Sequence, residues 1–125
     1  MDKFDFKDKT ILVVEDTESS IRFFDAALKR TSANLLLVGD GDEAMKVFDN
    51  NHVDLVLLDL NLYTTSGFEV LKHIRAHDKK TPVIVQTAYI LSGEEQESME
   101  LGANDFVAKP IKLDHLLLLI SKYLG

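Results

Sequence analysis

Four short apolar runs in this chain each close on groups able to do chemistry. ILVV is followed by Glu15 and Asp16, LVLL by Asp59, VIVQ by Thr87, and DFVA by Lys109 and Pro110. An ionised carboxylate at the mouth of a core strand, as Asp59 would be, costs desolvation energy unless something pairs with it. Three carboxylates brought together repel one another and raise their pKa values. A hard divalent cation with oxygen ligands removes that conflict. Mg2+ suits a site with few protein ligands and retained waters, and it is the expected cofactor, with Mn2+ as the alternative. Lys109 adds a mobile ammonium that can pair Asp59 or an incoming anion, and Thr87 adds a hydroxyl donor. A metal, an ammonium and a hydroxyl around one carboxylate are what an acyl phosphate requires. Asp59 would attack phosphorus while the cation and Lys109 neutralise charge on the transferring group. Singly, each residue has a plainer reading: a helix cap for Glu15-Asp16, a turn for Asp59, a β-former for Thr87, a solvated charge for Lys109. Their order and placement together favour a site.

Such a site needs elements that end on one rim, and the sequence supplies an alternation. TILVV (10–14) is β-branched and apolar throughout, the pattern of a strand buried on both faces. ESSIRFFDAALKR follows with Ile21, Phe24 and Leu28 at helical spacing. NLLLV (34–38) reads as a second strand. GDEAMKVFDN reads as a helix with Ala44, Val47 and Phe48 on one face. DLVLLD is a third strand, and GFEVLKHIRAH a helix with Phe68, Leu71 and Ile74 on one stripe. VIVQT is a fourth strand, and SGEEQESMELG a helix capped by Gly102. DFVA is a short fifth strand, and LDHLLLLISKYL the last helix. Five β-then-α units predict an α/β domain with a parallel sheet covered on both faces. In such sheets ligands lie outside the carboxyl ends of the strands.

The chain has 125 residues, 46% hydrophobic and 28% charged, which predicts one globular domain: a polar lead over 1–9 and a core over 10–124. The formal charge of −7 disfavours direct nucleic-acid binding. No apolar run approaches a membrane span and no leader pattern opens the chain. The lack of cysteine excludes thiolate metal sites and is compatible with a reducing cytoplasm. His52, His73, His77 and His115 show no ligand spacing and read as surface residues.

ILVVED, LVLLDLNL…SG, VIVQTA and GANDFVAKPI, in that order, resemble the receiver domains of two-component response regulators, including the chemotaxis-type receivers. The resemblance runs from Lys9 to Leu124. It implies a flavodoxin-like doubly wound fold with five parallel strands ordered 2-1-3-4-5 and five helices. It implies Asp59 as phospho-acceptor, Glu15 and Asp16 as the acids that hold Mg2+ with Asp59, and Asn61 as a metal ligand through its backbone carbonyl. Thr87 matches the switch hydroxyl, Ala88 the small residue that leaves room for the phosphoryl group, Phe106 the switch aromatic and Lys109 the lysine. Lys109-Pro110 is expected to be cis. Asn61 and Tyr89 occupy positions that tune phosphoryl lifetime, and bulky Tyr89 suggests slow hydrolysis. A sensor histidine kinase or histidine phosphotransfer domain is the implied donor. An output partner would read the face made by the fourth helix, fifth strand and fifth helix. The implied oligomeric state is a monomer or a weak phosphorylation-dependent dimer.

Two departures stand out. Tyr63 replaces the usual proline after the phospho-acceptor, which frees a backbone N–H. Ser66 replaces an acid or amide before Gly67 and can still cap the third helix. The fourth helix carries Glu94, Glu95, Glu97 and Glu100 without an intervening base. In the fifth, Leu118 lies opposite the stripe of Leu113, Leu116, Leu117, Ile120 and Leu124 and is a candidate contact point. A pseudo-receiver that works without phosphorylation is the alternative. An aspartyl-phosphate phosphatase fits less well, since its general acid is expected two residues after the nucleophile, where this chain has Asn61. No Gly-rich phosphate loop follows the first strand, so a dinucleotide or flavin site is disfavoured.

Overall fold

A computed structural model describes residues 4–88 and 93–125. Five strands alternate with five helices: β1 (Thr10–Val14), α1 (Glu18–Lys29), β2 (Asn34–Val38), α2 (Gly41–Asn50), β3 (Leu55–Asp59), α3 (Gly67–His77), β4 (Val83–Thr87), α4 (Glu94–Glu100), β5 (Asp105–Ala108) and α5 (Leu113–Leu124). All pairings are parallel, in the order β2-β1-β3-β4-β5. The fold is therefore the expected doubly wound, flavodoxin-like one.

Side chains alternate along each strand, so the sheet has two faces with separate cores. Ile11, Val13, Leu55, Leu57, Ile84 and Val107 face α1 and α5, where they meet Phe24, Leu28, Leu116, Leu117 and Ile120. Leu12, Val14, Val56, Leu58, Val83 and Val85 face the other way and meet Ala44, Val70, Leu71 and Ile74 of α2 and α3. The three central strands β1, β3 and β4 are buried almost throughout, which explains their unbroken apolar sequences. Edge strand β2 is only half-buried over Leu35–Leu37. On α5 the stripe behaves as its spacing predicts. Leu116, Leu117 and Ile120 are buried, each contributing about 1.5–3 kcal/mol, while Leu118 is 58% exposed.

The helix ends follow local chemistry. Asp40 N-caps α2, its Oδ1 accepting the N–H groups of Asp42 (2.7 Å) and Glu43 (3.2 Å). Ser66 caps α3 as expected, its Oγ accepting the Phe68 N–H at 3.1 Å. Helix α4 spans seven residues. It ends in a Schellman motif, with Gly102 N–H donating to Met99 O and Ala103 N–H to Ser98 O. Gly102 has φ +108, open to glycine without a Cβ penalty. The expected first turn of this helix at Ser92 lies outside the described residues. The polar lead is more integrated than its composition suggests. Phe6 is buried in the α1/α5 core and its N–H donates to Thr31 O at 2.7 Å.

Candidate functional site

The period-2 alternation that sorts the core also sorts the rim. On the α1/α5 face, Glu15 continues the row of Val13, Asp59 that of Leu57, Gln86 that of Ile84 and Lys109 that of Val107. On the opposite face Thr87 follows Val83 and Val85, and Ala108 follows Phe106. One face thus collects the charged groups and the other the hydroxyl and the aromatic ring.

Glu15 is fully buried and Asp59 is 1% exposed. Lys109 Nζ donates to Asp59 Oδ2 at 2.8 Å and lies 3.5 Å from Glu15 Oε2. The other Asp59 oxygen, Oδ1, accepts the Asn61 N–H at 2.8 Å. Glu15 Oε1 accepts the Thr17 N–H at 3.1 Å, and its Oε2 accepts from Gln86 Nε2 at 3.2 Å. The Glu15 carboxyl is raised above its ordinary range by burial and then by the Asp59 charge, against the opposing pull of the Thr17 N–H and Lys109. Burial draws the Lys109 ammonium down, yet its bond to Asp59, the Asp59 charge and Glu15 outweigh this and raise it above the usual lysine value.

One oxygen from each of Glu15, Asp16 and Asp59 lies within 4.8 Å of the others. One ammonium does not balance three carboxylates, and Glu15 is already pushed toward its protonated form. An all-oxygen cluster with this charge fits a hard divalent cation. Asp16 is half-buried, and its Oδ2 accepts the Tyr63 N–H at 2.7 Å. That N–H is the one a proline at 63 would lack, so the departure in the β3–α3 connection is tied directly to an acid of the candidate metal cluster. The Tyr63 side chain itself is 87% exposed. Gly67 is required by close approach. A Cβ there would stand 2.4 Å from Asp59 O and 2.6 Å from Leu60 Cα, so helix α3 begins in contact with the backbone of β3.

On the other face, Thr87 is fully buried, Ala88 exposed, and Phe106 half-buried against the α2/α3 core. The Thr87 hydroxyl lies 3.0 Å from Asn61 Oδ1 and hydrogen-bonds to Glu94 Oε1. The Lys109-Pro110 peptide is cis. Tyr89 lies outside the described residues. Of the histidines, His52 and His73 each contact a neighbouring aspartate, Asp54 and Asp49, at 2.9 Å, away from the rim.

Two residues at the site escape a reading by motif. Gln86 is buried, and its Oε1 has no partner among the described residues. It lines a groove of about 230 Å³ with Ser19, Ser20, Phe23, Lys109 and Ile111. A glutamine in an otherwise apolar central strand, two residues past Ile84, is the signal that could have found it. Glu94 was hidden in a run of similar glutamates on α4.

Known proteins share this fold. The receiver domain of the sensor histidine kinase PA1611 from Pseudomonas aeruginosa, whose structure has magnesium coordinated in the active-site cleft, is 29% identical. It superposes with a TM-score of 0.87 over 94% of this chain and 98% of that one. The polar-differentiation response regulator DivK of Brucella ovis is 29% identical over 119 residues, 94% of this chain and 97% of its own. The regulatory protein AtoC of Escherichia coli is 33% identical over 114 residues, 91% of this chain, which spans only 25% of AtoC. Residues 11–121 match the response regulator receiver domain family, and the chain belongs to that family of two-component signalling modules.

Proposed function

We propose that this receiver takes a phosphoryl group from a phosphohistidine donor onto Asp59, with Mg2+, and uses it to control a partner. The observation that carries the reading is the buried Asp59 carboxylate, 2.8 Å from Lys109 and clustered with Glu15 and Asp16. Glu15, Asp16, Asp59 and the Asn61 carbonyl would hold the cation. When bound, the metal supplies positive charge to the transferring phosphoryl oxygens. An Asp59 oxygen forms the new bond to phosphorus as the donor's N–P bond breaks, and the leaving imidazole retains the electron pair and takes a proton. Lys109 shifts its bond from Asp59 to a phosphoryl oxygen. The Thr87 hydroxyl donates to another, and Ala88 leaves room for the group. The groove beside α1, lined by Phe23, Ile111 and Lys109, would give the donor a wall next to the lysine that pairs with Asp59.

The product adds about −1.5 to −2 of charge at the rim. Thr87 moves toward it and Phe106 repacks, shifting the population of the α4–β5–α5 face that an output partner reads. Asn61 and Tyr89 tune the lifetime of the acyl phosphate. In this reading residues 1–125 form one receiver with its core over 10–124. It acts in the cytoplasm as a signalling module, apart from its own phosphorylation and dephosphorylation, as a monomer or a weak dimer once phosphorylated. The donor is a histidine kinase or phosphotransfer domain.

Incubation with acetyl phosphate and Mg2+, followed by intact-mass measurement, tests the reading. A phosphoryl adduct is expected in wild type and absent from Asp59→Asn or with chelator. No adduct in wild type would leave a pseudo-receiver that binds its partner without phosphorylation.

A further inference from the structure

Glu94 opens α4 and reaches back to the rim. Its Oε1 accepts the Thr87 hydroxyl, and Asn61 Nδ2 donates to its Oε2 at 3.2 Å and its Oε1 at 3.4 Å. Thr87 Oγ1 also lies 3.0 Å from Asn61 Oδ1. A carboxylate on α4, a hydroxyl on β4 and an amide after β3 therefore meet in one cluster. Thr87 has one hydroxyl hydrogen and, among the described residues, two acceptors within reach. The carboxylate is the stronger of the two, because ionised acceptors make hydrogen bonds about twice as strong as neutral ones.

A phosphoryl group on Asp59 would need that same hydrogen. It would also bring a second negative charge to the residue pair that Glu94 now bridges. The two arrangements exclude each other, by competition for one proton and by like-charge repulsion. We propose that Glu94 is an internal competitor of the phosphoryl group: its carboxylate occupies the Thr87 hydroxyl and the Asn61 amide until phosphorylation displaces it. Glu94 is thus a positioning residue that sets the readiness of the site. Its release also carries the signal straight from Thr87 to the first turn of α4, independently of the Phe106 ring. This inference rests on Asp59 accepting a phosphoryl group.

The test is Mg2+-dependent beryllofluoride binding to the full chain, measured by titration calorimetry. Glu94→Ala is expected to bind about five- to tenfold tighter than wild type, the worth of one charge-assisted hydrogen bond partly exposed to water. Glu94→Gln, which keeps the shape of the side chain, is expected to gain about two- to threefold. Both gains should vanish in a Thr87→Ala background, as a double-mutant cycle requires of an interaction through that hydroxyl. Glu97→Gln, an exposed charge on the same helix, should change nothing. Equal affinity in wild type and both Glu94 variants overturns the inference, as does a gain that survives Thr87→Ala, which would mean bulk charge alone. Wild type that fails to bind, or binds no better than Asp59→Asn, overturns instead the phosphoryl-accepting reading on which it stands.

Discussion

The two faces of the sheet reach the rim with different kinds of support. On the α1/α5 face, Asp59 and Glu15 are buried, each accepts a backbone N–H from the residue two ahead, and one lysine bridges both. The covering helix α5 buries Leu116, Leu117 and Ile120. On the opposite face, Thr87 is engaged by the side chains of Asn61 and Glu94, and α4 buries only Ser98 along its length. Its N-terminus follows Gly93 in the left-handed region at φ +85, and Met99 is 43% exposed. The contrast separates two tasks. In the proposed reading, the groups that hold a metal and a nucleophile are tied to backbone N–H groups just past the strand ends. In the same reading, Thr87, the group that changes partners, is tied by side chains to a helix that buries only Ser98.

The strongest way to break the rigid side is Gly67→Ala. The added Cβ collides with the backbone of Asp59 and Leu60, so a loss of about 3 kcal/mol is expected in urea unfolding, by the overpacking mechanism. Lys109→Ala comes next. It leaves Glu15 and Asp59 buried without their cation and should lower metal-free stability by about 2 kcal/mol. Saturating Mg2+ should restore more stability to this variant than to wild type, since a ligand that binds only the folded state stabilises it. If Mg2+ stabilises both equally, Lys109 and the metal do not share a role.

A finer probe is Tyr63→Pro, which deletes the N–H that Asp16 accepts. Mg2+ affinity should fall by about three- to tenfold, the worth of one hydrogen bond to a carboxylate. Tyr63→Ala keeps the N–H and should bind as wild type does. Loss of affinity in the alanine variant would assign the effect to the exposed ring instead. The smallest effect is expected outside both regions. Leu118→Ser should leave stability within about 0.5 kcal/mol, because the side chain is already 58% exposed. A larger drop that grows with protein concentration would mean that this leucine is buried between copies of the chain.

Much of this was legible in the residues. Unbroken apolar runs marked β1, β3 and β4 because both faces of a central parallel strand are covered. The α5 stripe and its outlier Leu118 followed from 3.6-residue spacing, and Ser66 was readable as the α3 cap. The rim residues were legible because each stands at the end of a strand, and chain order alone fixes which end that is. Among the described residues α4 runs from Glu94, after a left-handed glycine, and the expected start at Ser92 lies outside them. Phe6 read as part of a polar lead, since one buried ring amid charged neighbours leaves no periodic trace.

The sequence by itself determined the alternation, the parallel sheet, and the convergence of three acids, a threonine and a lysine on one rim, because period and strand polarity are local properties of the chain. Only the tertiary structure decided which of these touch. Gln86 meets Glu15 across 71 positions, the Tyr63 N–H meets Asp16 across 47, and Glu94 meets Asn61 across 33. Such contacts depend on the packing of separate elements and on rotamers chosen after they dock, and no local pattern encodes either.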